Sequence, residues 1–399
     1  MKVHEKLGIR ESVKWSTFLK DVFTCSLGAY GGPEAHYGVF TDQLVTKKQY
    51  LSEEELVELI ALCSILPGPS STQTIVSVGY KMGGPLLALL TMLVWALPVL
   101  TIMTTLSFMY VMLNRLNLSS DGLRFIGPMA VGFIVVAAIK IGKKVVVDRM
   151  TAGLMILGAV LTYFIRSPWI FPAVLVFGGV VSILASKEKA LWNRVKINPP
   201  WIYFIVFVGL AVGSIGLIML TDNRIVHLFE SFYRYGYLVF GGGQVVVPVM
   251  YGELVEANLY MTNQEFLTGY GLVQGLPGPM FSFSAYAGGL AARGGTAIYQ
   301  VLGAVVGGIG IFLPGLLLIF FIYPIWENLK KIKGIKVSLK GINAVAGGLI
   351  AISALILMQK SGWQLENILV MLVTIALLFS RKIPAPFIVL AALIAGFVF

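Results

Sequence analysis

Long apolar runs dominate the chain, separated by short polar stretches. Most are long enough for one helical crossing of a bilayer core about 30 Å thick, which takes roughly 20 residues. The pattern predicts apolar helices over about 84–113, 122–140, 150–165, 168–185 and 200–221, and again through the C-terminal half. Within it, landmarks repeat. Tyr30-Gly31-Gly32-Pro33-Glu34 returns as Phe240-Gly241-Gly242-Gly243-Gln244, and Leu66-Pro67-Gly68-Pro69 as Leu276-Pro277-Gly278-Pro279, each displaced by 210 residues. Two capping boxes, Ser52 with Glu55 and Thr262 with Glu265, share that displacement. Ala96-Leu97-Pro98 answers Phe312-Leu313-Pro314 at 216. The expected layout is a first repeat over 1–199, a linker span over 200–221 and a second repeat over 222–399.

Charge orients these elements. Lys140–Arg149, Lys187–Lys196 and the N-terminal lysines form clusters of the kind the positive-inside rule assigns to the cytoplasm. Segments 18–45 and 53–80 are each taken as one crossing, giving about six spans per repeat and about 13 in all. The odd linker span makes the second repeat start on the opposite side. That places Lys330–Lys340 and Arg381-Lys382 inside as well. One local misfit follows: Lys47 and Lys48 fall outside, and Glu253 and Glu256 inside. The expected fold is an all-α polytopic membrane protein of two inverted-topology repeats with broken helices, its N-terminus cytoplasmic in the cell membrane. The N-terminus shows no small-residue cleavage site, so a cleaved signal peptide is not expected.

Composition agrees. Of 399 residues, 57% are apolar and 12% charged, with a mean hydropathy of +0.85, against about 25% charged in a soluble domain. A nucleic-acid binder, a disulfide scaffold and a large soluble enzyme are excluded. Cys25 and Cys63 form no C-x-x-C, His4, His36 and His227 are far apart, and no nucleotide or zinc motif is present. Neither a cofactor nor a metal is expected. The net charge of +11 is mostly topological. G-x-x-x-G faces at Gly209/Gly213 and Gly303/Gly307 suit packing within the chain or a homodimer equally.

Broken helices in matching positions of two halves point to a transporter's binding site. The segment after Pro67-Gly68-Pro69 opens with Ser70, Ser71, Thr72 and Gln73. The one after Pro277-Gly278-Pro279 reaches Ser282 and Ser284. Free amides and hydroxyls at helix N-termini favour an anion. Gly31, Gly32, Gly241, Gly242 and Gln244 complete the candidate site, with Glu34 and His36 as candidates for proton coupling. A small oxyanion of charge two fits four such helix ends. A channel, or an intramembrane enzyme built on Glu34 and His36, is the alternative class.

The strings Gly31-Gly32-Pro33-Glu34-Ala35-His36 and Leu62-Cys63-Ser64-Ile65-Leu66-Pro67-Gly68-Pro69, with Gln73 and Gly79 beyond, resemble the chromate ion transporter family. Phe240–Gln244 and Gln274–Pro279 resemble the second domain of its long, fused members, so the likeness spans essentially the whole chain. Ser64 stands where members often carry glutamine, and Gly243 where the first half has Pro33. The resemblance implies an inner-membrane exporter of chromate, with sulfate as a related or competing oxyanion.

Overall fold

The computed structural model describes residues 13–116, 121–165, 170–188, 191–192, 195–238, 240 and 246–398. Regular structure among them is helical. The first half holds Trp15–Gly28 (α1), Pro33–Phe40 (α2), Glu53–Ile65 (α3), Ser70–Arg115 (α4), Ile126–Val145 (α5), Arg149–Phe164 (α6) and Ile170–Leu184 (α7). Trp201–Leu220 (α8) follows. The second half holds Arg224–Leu238 (α9), Val246–Tyr251 (α10), Asn263–Gln274 (α11), Phe283–Ala291 (α12), Ala297–Ile322 (α13), Trp326–Leu329 (α14), Lys333–Lys360 (α15), Leu365–Ser380 (α16) and Ala385–Val398 (α17). Five helices are long and apolar enough to cross a membrane, those containing α4, α5, α8, α13 and α15.

The repeated sequence landmarks fold alike. α2 runs on into a π-helical turn over Thr41–Lys47, and α10 into one over Gly252–Ala257. Each turn ends at a left-handed residue, Gln49 and Leu259, again 210 apart. The next amide, Tyr50 or Tyr260, donates back to Leu44 O or Leu254 O at 2.8 Å in both halves. Both expected capping boxes close, at Ser52–Glu55 and Thr262–Glu265.

Segments 18–45 and 53–80 do not cross as expected from hydropathy; each doubles back. Phe18, near the start of α1, stacks edge-on against Tyr50 beyond the π-turn, at 5.4 Å. Asp21 accepts from the Tyr50 hydroxyl at 2.5 Å and pairs with Lys48 at 3.0 Å. Glu55, in the first turn of α3, pairs with Lys81 on α4 at 2.5 Å, so the two arms around Pro67-Gly68-Pro69 lie antiparallel. The second half matches: Arg224 sits 5.1 Å over the Tyr260 ring, Arg234 binds Glu253, and Glu265 binds Arg293. The physical reason is length and chain chemistry. Arms of 12–15 residues reach only about 20 Å at 1.5 Å per residue. Proline and positive-φ glycine then turn the chain at the three described tips. Four helical hairpins replace four crossings.

A hairpin returns the chain to the end it came from, as two crossings do. Lys47 and Lys48 now lie at a hairpin base beside α3, whose Glu58 binds Lys330. Lys333–Glu188 at 3.0 Å and Lys340–Asp148 at 2.6 Å gather the predicted lysine clusters at the same end. Lys340 and backbone bonds from Thr151 hold the Asp148 carboxyl down at about 2. At the far end of α15, Lys360 pairs with Glu256 at 3.7 Å and its carbonyl accepts from Asn263, both at the base of second-half hairpins. α15 has 28 residues, about 42 Å. The first-half hairpins therefore rise from one end of the bundle and the second-half hairpins from the other.

α15 packs along α5, α6 and α7 through small residues: a Cβ on Gly341 would stand 1.9 Å from Gly178 O, and one on Gly348 2.0 Å from Met155 O. Gly303 and Gly307 likewise press α13 onto α12, so that face serves internal packing. Gly209 and Gly213 meet nothing within 4 Å. α8 buries only Ser214 and lies against α9 and α13, as suits a lipid-facing span.

The hairpins make a direct test possible. With native cysteines removed, Glu55→Cys with Lys81→Cys should cross-link readily, and both thiols should react with an impermeant reagent from one side only. Labelling from opposite sides would restore the single crossing.

Candidate functional site

The site is built where hairpin tips meet. Gly32 holds φ 92° and ψ −174°, a region essentially reserved for glycine, and hands the chain to Pro33 at the first position of α2. Gly31 is also at positive φ. At the other tips Gly68 and Gly278 take φ 122° and 103°. The Gly278 amide donates to Ala29 O at 2.8 Å, so the tip of the last hairpin is bonded to the tip of the first.

These contacts come in matched pairs. A Cβ on Gly278 would stand 3.1 Å from Val99 and 3.5 Å from Ser26, and one on Gly68 3.5 Å from Gly236 O. Gly315 faces Pro69 and Gln73. Residues 68 and 278, 26 and 236, and 99 and 315 are counterparts in the two halves, displaced by 210, 210 and 216. Each half grips the other with the same surface, as an isologous two-fold contact does.

Around this junction lie most of the sequence candidates. α4 begins at Ser70 as expected. Gln73 lies one turn on; its side-chain amide donates to Pro67 O at 2.8 Å and its backbone amide to Pro69 O at 2.9 Å, so it closes the proline turn. Ser71 Oγ is 3.0 Å from His36 Nδ1, and Thr72 accepts from Trp95 Nε1 at 3.1 Å. His36 also meets the Trp95 ring edge-on at 5.4 Å, which links α2 to α4 on both sides of its kink at Gly83-Gly84. After Pro279 the chain makes a 3-10 turn over Met280–Ser282 before α12 starts, which differs from the direct helix start of the first half. Ser282 and Ser284 are buried there. Glu34 stands exposed in the first turn of α2, apart from the buried His36–Ser71 pair. Gly241, Gly242 and Gln244 lie outside the described residues.

Several buried polar atoms near the proline turns have no protein partner among the described residues: His36 Nε2, Gln73 Oε1, Gln274 Nε2, and the hydroxyls of Ser282 and Ser284. A buried polar group left unpaired costs about 1–3 kcal/mol. Such a set is what a polar ligand or water would satisfy. Gln274, at the end of α11 before the second proline turn, was not singled out by sequence. Its only signal was the Gln274–Pro279 string itself. Neither lysine nor arginine stands at the described tips; Lys81 and Arg293 serve the hairpin bases.

The second half carries a buried cluster that sequence reading also missed. Arg234 donates to both oxygens of Glu230, at 2.6 and 3.0 Å, and to both oxygens of Glu253, at 3.1 and 2.7 Å. Ser231 donates to Glu253 at 3.1 Å. All three charged groups are at most 7% exposed.

The profile of a family described as "Chromate transporter" matches residues 16–183 and 226–397. A "Probable chromate transport protein" of Synechococcus elongatus is 27% identical over 406 aligned residues, covering 100% of this chain and 97% of the relative. A "Chromate transport protein" of Cupriavidus metallidurans is 26% identical, covering 92% of this chain and 89% of the relative. One of the same description from Pseudomonas aeruginosa is 27% identical, covering 86% and 80%. No solved structure matches the chain.

The tip conformations carry their own prediction. Gly32→Ala meets no atom within 4 Å, yet its backbone should cost about 1–3 kcal/mol. Gly278→Ala adds a crowded contact with Val99. Thermal unfolding in detergent checks both; an unshifted midpoint for Gly32→Ala would mean that the tip relaxes.

Proposed function

The chain belongs to the chromate transporter family, whose members are membrane transport proteins rather than enzymes, and from that premise we propose that it exports a small tetrahedral oxyanion, chromate, through the junction of its hairpin tips. The observation that carries this reading is the junction itself. Helix starts at Ser70 and around Ser282 follow the tips that contact the opposite half, Gly68 against Gly236 and Gly278 against Ala29, and buried polar atoms without a protein partner among the described residues lie near both.

Amides and hydroxyls suit an oxyanion that must also leave. Each helix N-terminus presents roughly half a positive charge, and together they offset a dianion without a guanidinium that would hold it too long. The binding set is Gly31 and Gly32, Pro67–Gln73, and Pro277–Pro279 with Ser282 and Ser284, joined by Gly241, Gly242 and Gln244 of the remaining tip. Sulfate, of the same shape and charge, is the expected competitor.

The two halves are proposed to be inverted repeats about the linker span α8, with domain limits 1–199, 200–221 and 222–399. Hairpin bases at opposite ends of α15 support this, as does the gathering of lysine clusters at one end, proposed as cytoplasmic. Tips entering from both ends would meet near the midplane, where alternating access needs its site. A negative-inside potential moves an anion outward. Each charge gains about 2.3 kcal/mol per 100 mV, so a dianion gains roughly 4.6 kcal/mol.

Inverted vesicles test both parts. Labelled chromate should accumulate when a positive-inside potential is imposed and fall when the potential is collapsed, with unlabelled sulfate competing. Ser71→Ala, Thr72→Ala and Ser282→Ala should each raise the half-saturating chromate concentration, on the order of tenfold for a lost hydrogen bond to a charged ligand, while folded protein stays in the membrane. Unchanged half-saturation across the series would put the anion elsewhere.

A further inference from the structure

The Glu230–Arg234–Glu253 cluster has two carboxylates for one guanidinium, which leaves one negative charge buried among helices. The matched positions of the first half are Lys20, Thr24 and Gln43, and the neighbouring buried acid there, Asp21, is balanced by Lys48. The uncompensated charge therefore belongs to the second half alone. A buried cluster with a net charge is strongly disfavoured unless something neutralises it.

The surroundings of Glu253 show where that something enters. A cavity of about 40 Å³ opens against Glu253 and Glu256 on one side and α6, α7 and α15 on the other. At about 10–15 Å³ per water it holds about three or four. Its wall includes Thr162 and Ser353; Thr162 is 5% exposed and its hydroxyl has no partner among the described residues. That hydroxyl is independent of the acid cluster and calls for a water or ion in the cavity. The cavity lies towards the Lys360 end of α15, away from the lysine clusters.

We propose that this cluster is a proton-binding site, reached through the cavity from the Lys360 end, which exchanges an inbound proton for the outbound anion. A proton from cavity water adds to a carboxylate oxygen of Glu253, and Arg234 stays paired with Glu230, so the cluster becomes neutral. The other charged or titratable groups facing it are Tyr235 and Tyr237 on α9, Tyr251 on the cavity wall, Tyr260 with Arg224 against its ring, and Glu256, which Lys360 of α15 already pairs. The described cavity walls from α6 and α7, Thr162 and Phe171, bring no titratable group. The arrangement separates the proton from the tips, where Glu34 is exposed and the His36 ring is engaged with Ser71. This inference rests on the transport reading above for its anion, but not for the proton site.

The test uses the full chain in proteoliposomes with the potential clamped at zero, at pH values where chromate is the dianion on both sides. One-for-one exchange predicts chromate accumulation on the acidic side, about tenfold per pH unit. Glu253→Gln, which leaves Arg234 and Glu230 as a neutral pair, should equilibrate chromate to a ratio of one. Glu34→Gln should keep the tenfold ratio whatever its absolute flux. A ratio of one in the unmodified protein, accumulation on the alkaline side, or a Glu253→Gln variant that behaves as the parent would each overturn the proposal. An absence of chromate flux in the parent would instead count against the transport reading. The proton site is then decided by infrared difference spectra between acidic and alkaline buffer in detergent. A protonated-carboxyl band that Glu253→Gln removes supports it, and an unchanged spectrum overturns it.

Discussion

A backbone amide or carbonyl at a helix break has no water to turn to inside a bilayer, and the whole arrangement follows from how this chain meets that demand. At the three described tips, a helix too short to cross stops at glycine or proline. Each stop leaves amides and carbonyls without partners along their own helix. At Gly278 the partner is Ala29 O of the opposite half, and at Pro67 and Pro69 it is Gln73. The two halves therefore cannot be pulled apart without exposing broken backbone. The same unfinished hydrogen bonding that threatens stability is what the proposed anion site would use.

Hairpin bases meet a different demand. Two antiparallel arms joined only by a broken tip need a second fastening, and each hairpin has one made of charge. Glu55 serves both as the capping acid of α3 and as the partner of Lys81; Glu265 does the same with Arg293. The other two hairpins diverge. Asp21 with Lys48 and Tyr50 closes a balanced site near the lysine-rich end, whereas Arg234 with two glutamates closes an unbalanced one deep in the second half. The two halves thus carry unlike chemistry at matched positions.

The repeat was legible because its markers are chemical: proline turns, capping boxes and glycines keep their spacing when apolar residues drift. Ser70–Gln73, Ser282 and the lysine clusters stand near where their sequence context put them. Direction was not legible. Hydropathy counts apolar residues without recording whether the chain goes on or returns, so 18–45 and 53–80 read as crossings. The displaced charges at Lys47, Lys48, Glu253 and Glu256 were the signal of a return, since each stands near a hairpin base. Arg234 was hidden for another reason. Its two acids lie four residues before it and nineteen after, and only the fold around the π-turn brings Glu253 back. Gln274 and the buried hydroxyls around it became informative once burial showed them without partners.

The central claim is that the anion sits where the tips of opposite hairpins meet. Chromium offers its own label. A structure of the full-length protein with chromate bound, with the metal located by anomalous scattering at its absorption edge, tests that claim most directly. The account predicts one chromium peak between the two proline turns, its oxygens within hydrogen-bonding distance of groups among Ser71, Gln73, Gln274 and Ser282. A peak confined to the lysine clusters around Lys143 and Lys333, with none at the tips, would contradict it.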